Sequence, residues 1–286
     1  VKPILIAPLL GIAFLFPAVA QDTGTRAPLD AQKNQRTPAE QASAEELNQA
    51  ARSYREGNFV EAQQHSEKAL AFDPSNKTAL SFLARTIHAQ YKPGVQSEEN
   101  VAKAREALDA YKRILIQEPL HEESYKAIAY LYGELKEDEQ QRQWIYQRAL
   151  DLNVSEAKRA EAYIVLASKA WDCSFKITEL PTHKIAEVSD HRVVVQYIKP
   201  KNPADFEKAR QCAANGLEFT EAAITLTPNS EGAWSYKTNL LLEMSKLAEM
   251  DKDVQLKTEY KVQMEAARLR TAELSDDDAN GRQRKP

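Results

Sequence analysis

The sequence predicts an all-α fold, an α-solenoid of antiparallel helix pairs with a small β-hairpin inserted, and three observations predict it. Apolar side chains recur at helical spacing in one segment after another. Small residues, mostly alanine, stand at repeated offsets among them, where two helices must approach closely. Glycine or proline punctuates the segments where a turn or a stop is needed. Composition agrees: 28% of the 286 residues are charged and only eight are glycine, which suits amphipathic helices around a thin core.

Residues 1–20, VKPILIAPLLGIAFLFPAVA, hold one cation at Lys2, an apolar run from Ile4 to Phe16 and a small-residue end, Ala18-Val19-Ala20. That is the pattern of an export signal cut before Gln21, the alternative being a retained membrane anchor. The expectation is an exported protein, periplasmic or secreted, with no membrane contact after cleavage. Residues 21–43 are rich in Thr, Gln, Pro and Ala without apolar periodicity and read as a flexible linker. The helical domain is expected over 44–274, and 275–286 as a disordered tail.

The first unit runs from Glu46 to Pro74. Ala50 and Ala62 are small where its helices cross, Gly57 allows the turn, Phe59 fills the space the alanines leave, and Pro74 ends the second helix. A second unit places Leu80, Leu83, Ala84 and Ile87 on one helix and Ala107, Tyr111, Ile114 and Pro119 on the next. Lys92-Pro93-Gly94 and Ser97-Glu98-Glu99 form a longer connection between them. The third unit has Tyr125, Ile128, Ala129 and Tyr132, then Tyr146, Ala149 and Leu150. Arg142 takes the place of its small packing residue, and Asn153-Val154 stands where a proline is typical. A fourth first helix carries Tyr163, Leu166, Ala167 and Ala170, but its partner, Phe206 to Thr227, is delayed by an insertion. Trp234, Leu241 and Leu242 with Val254 to Leu274 complete a final pair. Within it, Lys237 and Asn239 lie either on the water side of a capping helix or in a site.

This succession resembles the tetratricopeptide repeat family over roughly Ala44 to Leu274, most strongly in the first and second units. The resemblance implies stacked helix pairs, of which about three suffice for stability, and a concave groove lined by the first helix of each pair. On that geometry Tyr54 and Arg55, Arg85 and His88, Lys126 and Tyr130, Trp171, and Asn239 face the groove. Arg and Lys supply charge and Tyr supplies rigid area, a mixture suited to an extended peptide bearing a carboxylate or acidic residues. The family's carboxylate clamp of Lys, Asn and Arg on successive helices is not complete here.

Cys173 and Cys212 flank the insertion, 174–205. In an exported chain they either form a disulfide, which for a loop of this length stabilises by about 4 kcal/mol, or are two small residues on facing helices. Lys184 to Val188 and Arg192 to Ile198 are β-prone, and Ser189-Asp190-His191 can turn between them, so a short hairpin is expected. It either closes the gap between the split helices or offers a strand edge to an extended peptide.

With 42 acidic against 38 basic residues, mixed along the helices, a nucleic-acid partner is not expected. His183 and His191 near Asp190 and Cys173 lack the spacing of a standard zinc site, so no metal is assigned. No Gly-rich phosphate loop, His-Glu-x-x-His pair or Gly-x-Ser-x-Gly elbow occurs, so no catalytic residue and no cofactor is assigned. The chain reads as a non-enzymatic protein–protein interaction scaffold of the bacterial cell envelope, holding a protein or peptide partner in its groove. The alternative is an accessory structural subunit of an envelope complex, docked by its convex face and hairpin.

Overall fold

Helix caps written into the chain set where each helix begins. The computed structural model describes residues 36–189 and 192–283. The expected leader, most of the linker, Asp190, His191 and the last three residues lie outside them. The described residues form five helix pairs: α1 (Pro38–Arg55) with α2 (Phe59–Phe72), α3 (Lys77–Gln90) with α4 (Glu98–Gln117), α5 (Glu122–Glu134) with α6 (Asp138–Leu150), α7 (Glu156–Thr178) with α8 (Pro203–Leu226), and α9 (Glu231–Met250) with α10 (Val254–Gln283). Two strands, β1 (Lys184–Ser189) and β2 (Arg192–Tyr197), pair antiparallel between α7 and α8. Each helix packs on the next, which makes the molecule an all-α solenoid with a small β-hairpin.

Thr37 and Glu40 close a capping box, with Pro38 in the first turn, so α1 begins ahead of Ala44, inside the stretch read as linker. At the other end α10 continues past Leu274 to Gln283. Ala50, Ala62, Ala69, Ala84, Ala107, Ala149 and Ala167 have no exposed surface, as residues at helix crossings must. Around them Leu80, Leu83, Ile87, Leu108, Ile114, Ile128 and Leu131 form one core running through the second and third pairs.

Three of the five within-pair turns share one geometry. Gly57, Lys136 and Lys252 each take a left-handed conformation, with φ of 82°, 58° and 60°. The next residue in each case donates its N–H back over the helix end, Asn58 to Ser53, Glu137 to Tyr132 and Asp253 to Ala248, at 2.8, 2.9 and 2.9 Å. The second pair instead uses a loop clamped by Asn100. The Asn100 side chain accepts from the Lys92 N–H at 2.8 Å and donates to the Lys92 and Val95 carbonyls at 2.8 and 2.7 Å.

One expectation is corrected in the third pair. Gln141, not Arg142, stands at the crossing: its amide donates to the Ala129 carbonyl at 2.6 Å and lies over Gly133, which has no Cβ to obstruct it. Arg142 is exposed and paired with Glu139 one turn away. The final pair corrects another. α9 is not a polar-sided cap, because α7, α8 and α10 all pack on it, and Lys237 is satisfied by Glu221 at 2.6 Å.

Extra turns on α7, α8 and α9 build an annex that the hairpin completes. Cys173 and Cys212 are bonded there, with Cα atoms 6.0 Å apart on the extensions of α7 and α8. Phe206, Ala209, Ala213, Leu247 and Met250 form its separate core, with Tyr197 of β2 against it. A charged network ties it together. Glu243, with no exposed surface, accepts from Ser174 and Thr178 at 3.1 and 2.6 Å and from Lys246 at 2.6 Å. Lys246 reaches on to Glu179 at 2.7 Å, which also accepts from Tyr197 at 2.9 Å and Lys184 at 2.8 Å. Burial pushes the Glu179 carboxyl up, but the donors from Lys184, Lys246 and Tyr197 outweigh it and hold it down at about 2.

Lys136→Gly and Lys252→Gly each remove the cost of a left-handed side-chain residue and raise stability by about 0.5–1 kcal/mol, read from thermal unfolding. Glu179 is more acidic folded than unfolded, so its contribution is full above pH 4.5 and is lost as pH falls towards about 2. Glu179→Gln flattens that part of the stability profile, measured by denaturant titration on either side of pH 4.5.

Candidate binding groove

Helical spacing collects the groove residues onto one face. Arg85 and His88 are three apart on α3, and Glu123, Lys126 and Tyr130 succeed one another at offsets of three and four on α5. Tyr54 joins them from α1 and Tyr111 from α4. Two adjoining cavities result. One, of about 410 Å³, is lined by Tyr54, Arg85, His88, Tyr111 and Glu123. The other, of about 580 Å³, is lined by His88, Tyr111, Glu123, Lys126 and Tyr130.

Their shared wall is a charge pair. Arg85 donates from Nε to Glu123 at 2.5 Å and from Nη2 to the other oxygen of the same carboxylate. Hydrogen bonding to Glu123 raises the Arg85 pKa, and hydrogen bonding to Arg85 lowers that of Glu123. Next to this pair the His88 ring meets Tyr111 edge-on and Tyr130 at a tilt, both with centroids 5.7 Å away, and its Nδ1 lies 3.3 Å from the Tyr111 hydroxyl. Burial pushes the His88 pKa down while the Glu123 charge pulls it up, with burial the larger. His88 is therefore neutral near pH 7. Burial pushes the Tyr111 hydroxyl up to about 12, so it is a neutral donor. Tyr54 is fixed against Phe59 and Phe82, at 5.1 and 5.5 Å.

Of the residues expected in the groove, the structure brings Tyr54, Arg85, His88, Lys126 and Tyr130 together. Arg55 is exposed at the end of α1, its Nε donating to the Ala51 carbonyl at 3.1 Å, and it lines neither cavity. Trp171 sits on α7 against Phe175 and Tyr236, and Asn239 is half-buried on α9; neither lines the cavities. Glu123 and Tyr111 were missed from the sequence. Glu123 falls in the first turn of α5, where an acid reads first as a partner of the helix dipole. Its pairing with Arg85 changes the electrostatics, since the charge expected to meet an acidic ligand already has a partner.

His183, considered for zinc, is buried with Nδ1 2.7 Å from the Ile177 carbonyl, and it helps hold the hairpin base. Among the described residues no group of three His, Cys, Asp or Glu side chains is placed to hold a metal ion. None of the described helices is long and apolar enough to cross a membrane.

The fold and the site define the class: an α-solenoid of stacked helix pairs with an aromatic, charge-paired wall along α3 and α5. No protein-family model matches the sequence, and no curated protein does. Solved structures with a similar trace include a double mutant of MamA, 12% identical over 83% of this chain and 96% of that one at a TM-score of 0.41. Another accompanies the functional characterisation of pilF from Pseudomonas aeruginosa, 15% identical over 84% and 100% at 0.36. A third is a tetratricopeptide repeat protein from Parabacteroides merdae, 17% identical over 84% and 93% at 0.35. The fold assignment rests on the helix pairs themselves.

Because His88 is harder to protonate folded than unfolded, the stability it leaves intact is present above pH 6.5 and lost as pH falls below it. His88→Phe is expected to remove that slope. Urea unfolding of the two proteins on either side of pH 6.5 tests this.

Proposed function

We propose that the protein is a non-enzymatic scaffold of the bacterial envelope that holds an extended segment of a partner protein in its concave groove. The observation that carries this reading is the pair of adjoining cavities along α3 and α5, walled by Tyr54, His88, Tyr111 and Tyr130 around the Arg85–Glu123 pair. Aromatic rings of this kind give rigid contact area at little entropic cost, the property of residues that dominate interfaces. The pair is already satisfied, so a strongly anionic ligand has to displace Glu123. A near-neutral segment fits without doing so, with an acidic residue opposite Lys126 and aromatic or apolar side chains against Tyr130 and His88. The envelope location rests on the leader pattern and on the Cys173–Cys212 bond, of a kind that persists in oxidising compartments.

A second reading has one observation in its favour. Ile185, Val194 and Val195 of the hairpin and Ile198 just after β2 are all exposed, and among the described residues no third strand pairs with this two-stranded sheet. That surface suits an accessory subunit docked permanently into a larger complex.

Affinity purification from an envelope extract separates the two. His88→Ala with Tyr130→Ala is expected to lose the retained partner while keeping the wild-type circular dichroism spectrum, and Ile185→Asp with Val194→Asp is expected to keep it. The reverse pattern would transfer the function to the hairpin.

A further inference from the structure

A second built cavity, of about 170 Å³, lies where the ends of α4 and α6 meet the start of α5, and it shares no lining residue with the groove. Its floor is aromatic. Tyr125 and Trp144 stack with centroids 5.8 Å apart at 20°, and the Trp144 indole N–H is spent on the Tyr125 carbonyl at 3.2 Å, so the ring offers only its face. Leu115 and Val154 supply apolar walls.

The polar group in this cavity is Arg148. Its side chain is 7% exposed, stacks 4.1 Å over the Tyr125 ring and forms an ion pair with Glu122. No other side chain or carbonyl among the described residues accepts from its guanidinium, and Arg148 lines the cavity. It thus brings N–H groups into a site where burial lowers its pKa against the pull of Glu161 and Asp151. One oxygen of Asp151 is tied up by the Asn153 backbone and side chain, both at 2.9 Å.

We propose that this cavity is a docking site for a partner protein, taking one large apolar side chain, leucine, methionine or phenylalanine, whose backbone carbonyl accepts from Arg148. Three features select that occupant. The volume is close to that of one such side chain, since a cavity of roughly 150 Å³ holds a benzene ring. Arg148 is paired with Glu122 and Glu161 with Lys158 at 2.8 Å, and Asp151 lines the cavity, so no unbalanced cation is left to hold a carboxylate, whereas a neutral carbonyl needs only an N–H. The same helix ends also carry exposed apolar side chains: Ile116, Leu120, Leu150 and Leu152 stand 81%, 50%, 50% and 82% exposed. The two sites adjoin through Glu122, which lines the groove and pairs with Arg148. A partner engaged at both gains avidity from the linkage alone.

The test uses the full chain without its leader, isotope-labelled, with N-acetyl-phenylalaninamide as the probe and N-acetyl-glycinamide as the control. The Trp144 indole N–H and Arg148 Nε–H resonances are expected to shift saturably with the first, at an affinity on the order of millimolar, and not with the second. Gln147→Trp, on the exposed mouth, fills the cavity without touching the core and abolishes the response. Arg148→Met keeps the apolar walls and weakens the response at least about tenfold, the scale set by losing one charge-assisted hydrogen bond. Equal shifts with both amides, no shift with either, or an undiminished response in Gln147→Trp would overturn the proposal. So would binding to phosphatidylglycerol vesicles that depends on Ile116 and Leu152 while the Trp144 and Arg148 signals stay unmoved, which assigns these helix ends to a lipid surface instead.

Discussion

The close approach of paired helices at alanine sets everything else in this molecule. A solenoid has no central core: each helix buries a narrow stripe against its neighbours, and the stripe is only as well packed as its narrowest crossing. Ala50, Ala62, Ala84, Ala107 and Ala149 are fully buried because they occupy those crossings. Larger side chains there would push the helices apart and open every apolar contact alongside, and the repeat would no longer stack in register. The groove, the annex and the second cavity all inherit their spacing from this constraint.

Where the repeat departs from alanine it compensates locally. Gln141 occupies a crossing only because Gly133 opposite has no side chain, and its amide then needs the Ala129 carbonyl. Gly216 performs the same service on α8, where a Cβ would lie 2.4 Å from Leu240. In the annex the departure is larger, with Glu243 and Lys246 buried between helices. Buried charges are costly unless each is paired and hydrogen-bonded. Ser174, Thr178, Glu179 and Tyr197 meet that condition between them, and no buried side-chain polar atom among the described residues lacks a partner. The network fixes the hairpin's direction more than it adds stability, because only one placement of β2 brings the Tyr197 hydroxyl to Glu179.

The groove shows a different balance. Its charges are spent internally in the Arg85–Glu123 pair, leaving aromatic area and Lys126 as its outward chemistry. An exposed pair of this kind contributes little to stability. It does tie α3 to α5 beside His88 and Tyr111.

How much of this was legible depended on the distance over which the information acts. Helix periodicity, the turn at Gly57, the stops at Pro74 and Pro119 and the β-prone runs at Lys184 and Arg192 are read from neighbours in the chain, because backbone sterics and i to i+4 contacts act locally. The pairs, their order and the hairpin were therefore visible in the amino-acid sequence. Tertiary structure alone decided that Glu123 would meet Arg85, that Gln141 rather than Arg142 would fill a crossing, that Ser174 and Glu243 would share a hydrogen bond, and that Arg148 would be buried over Tyr125. Each of those depends on which side chains two separately formed helices present to one another once stacked. A rotation of any one of these helices by a single residue would change the contacts it makes, and no local pattern in the chain records that angle.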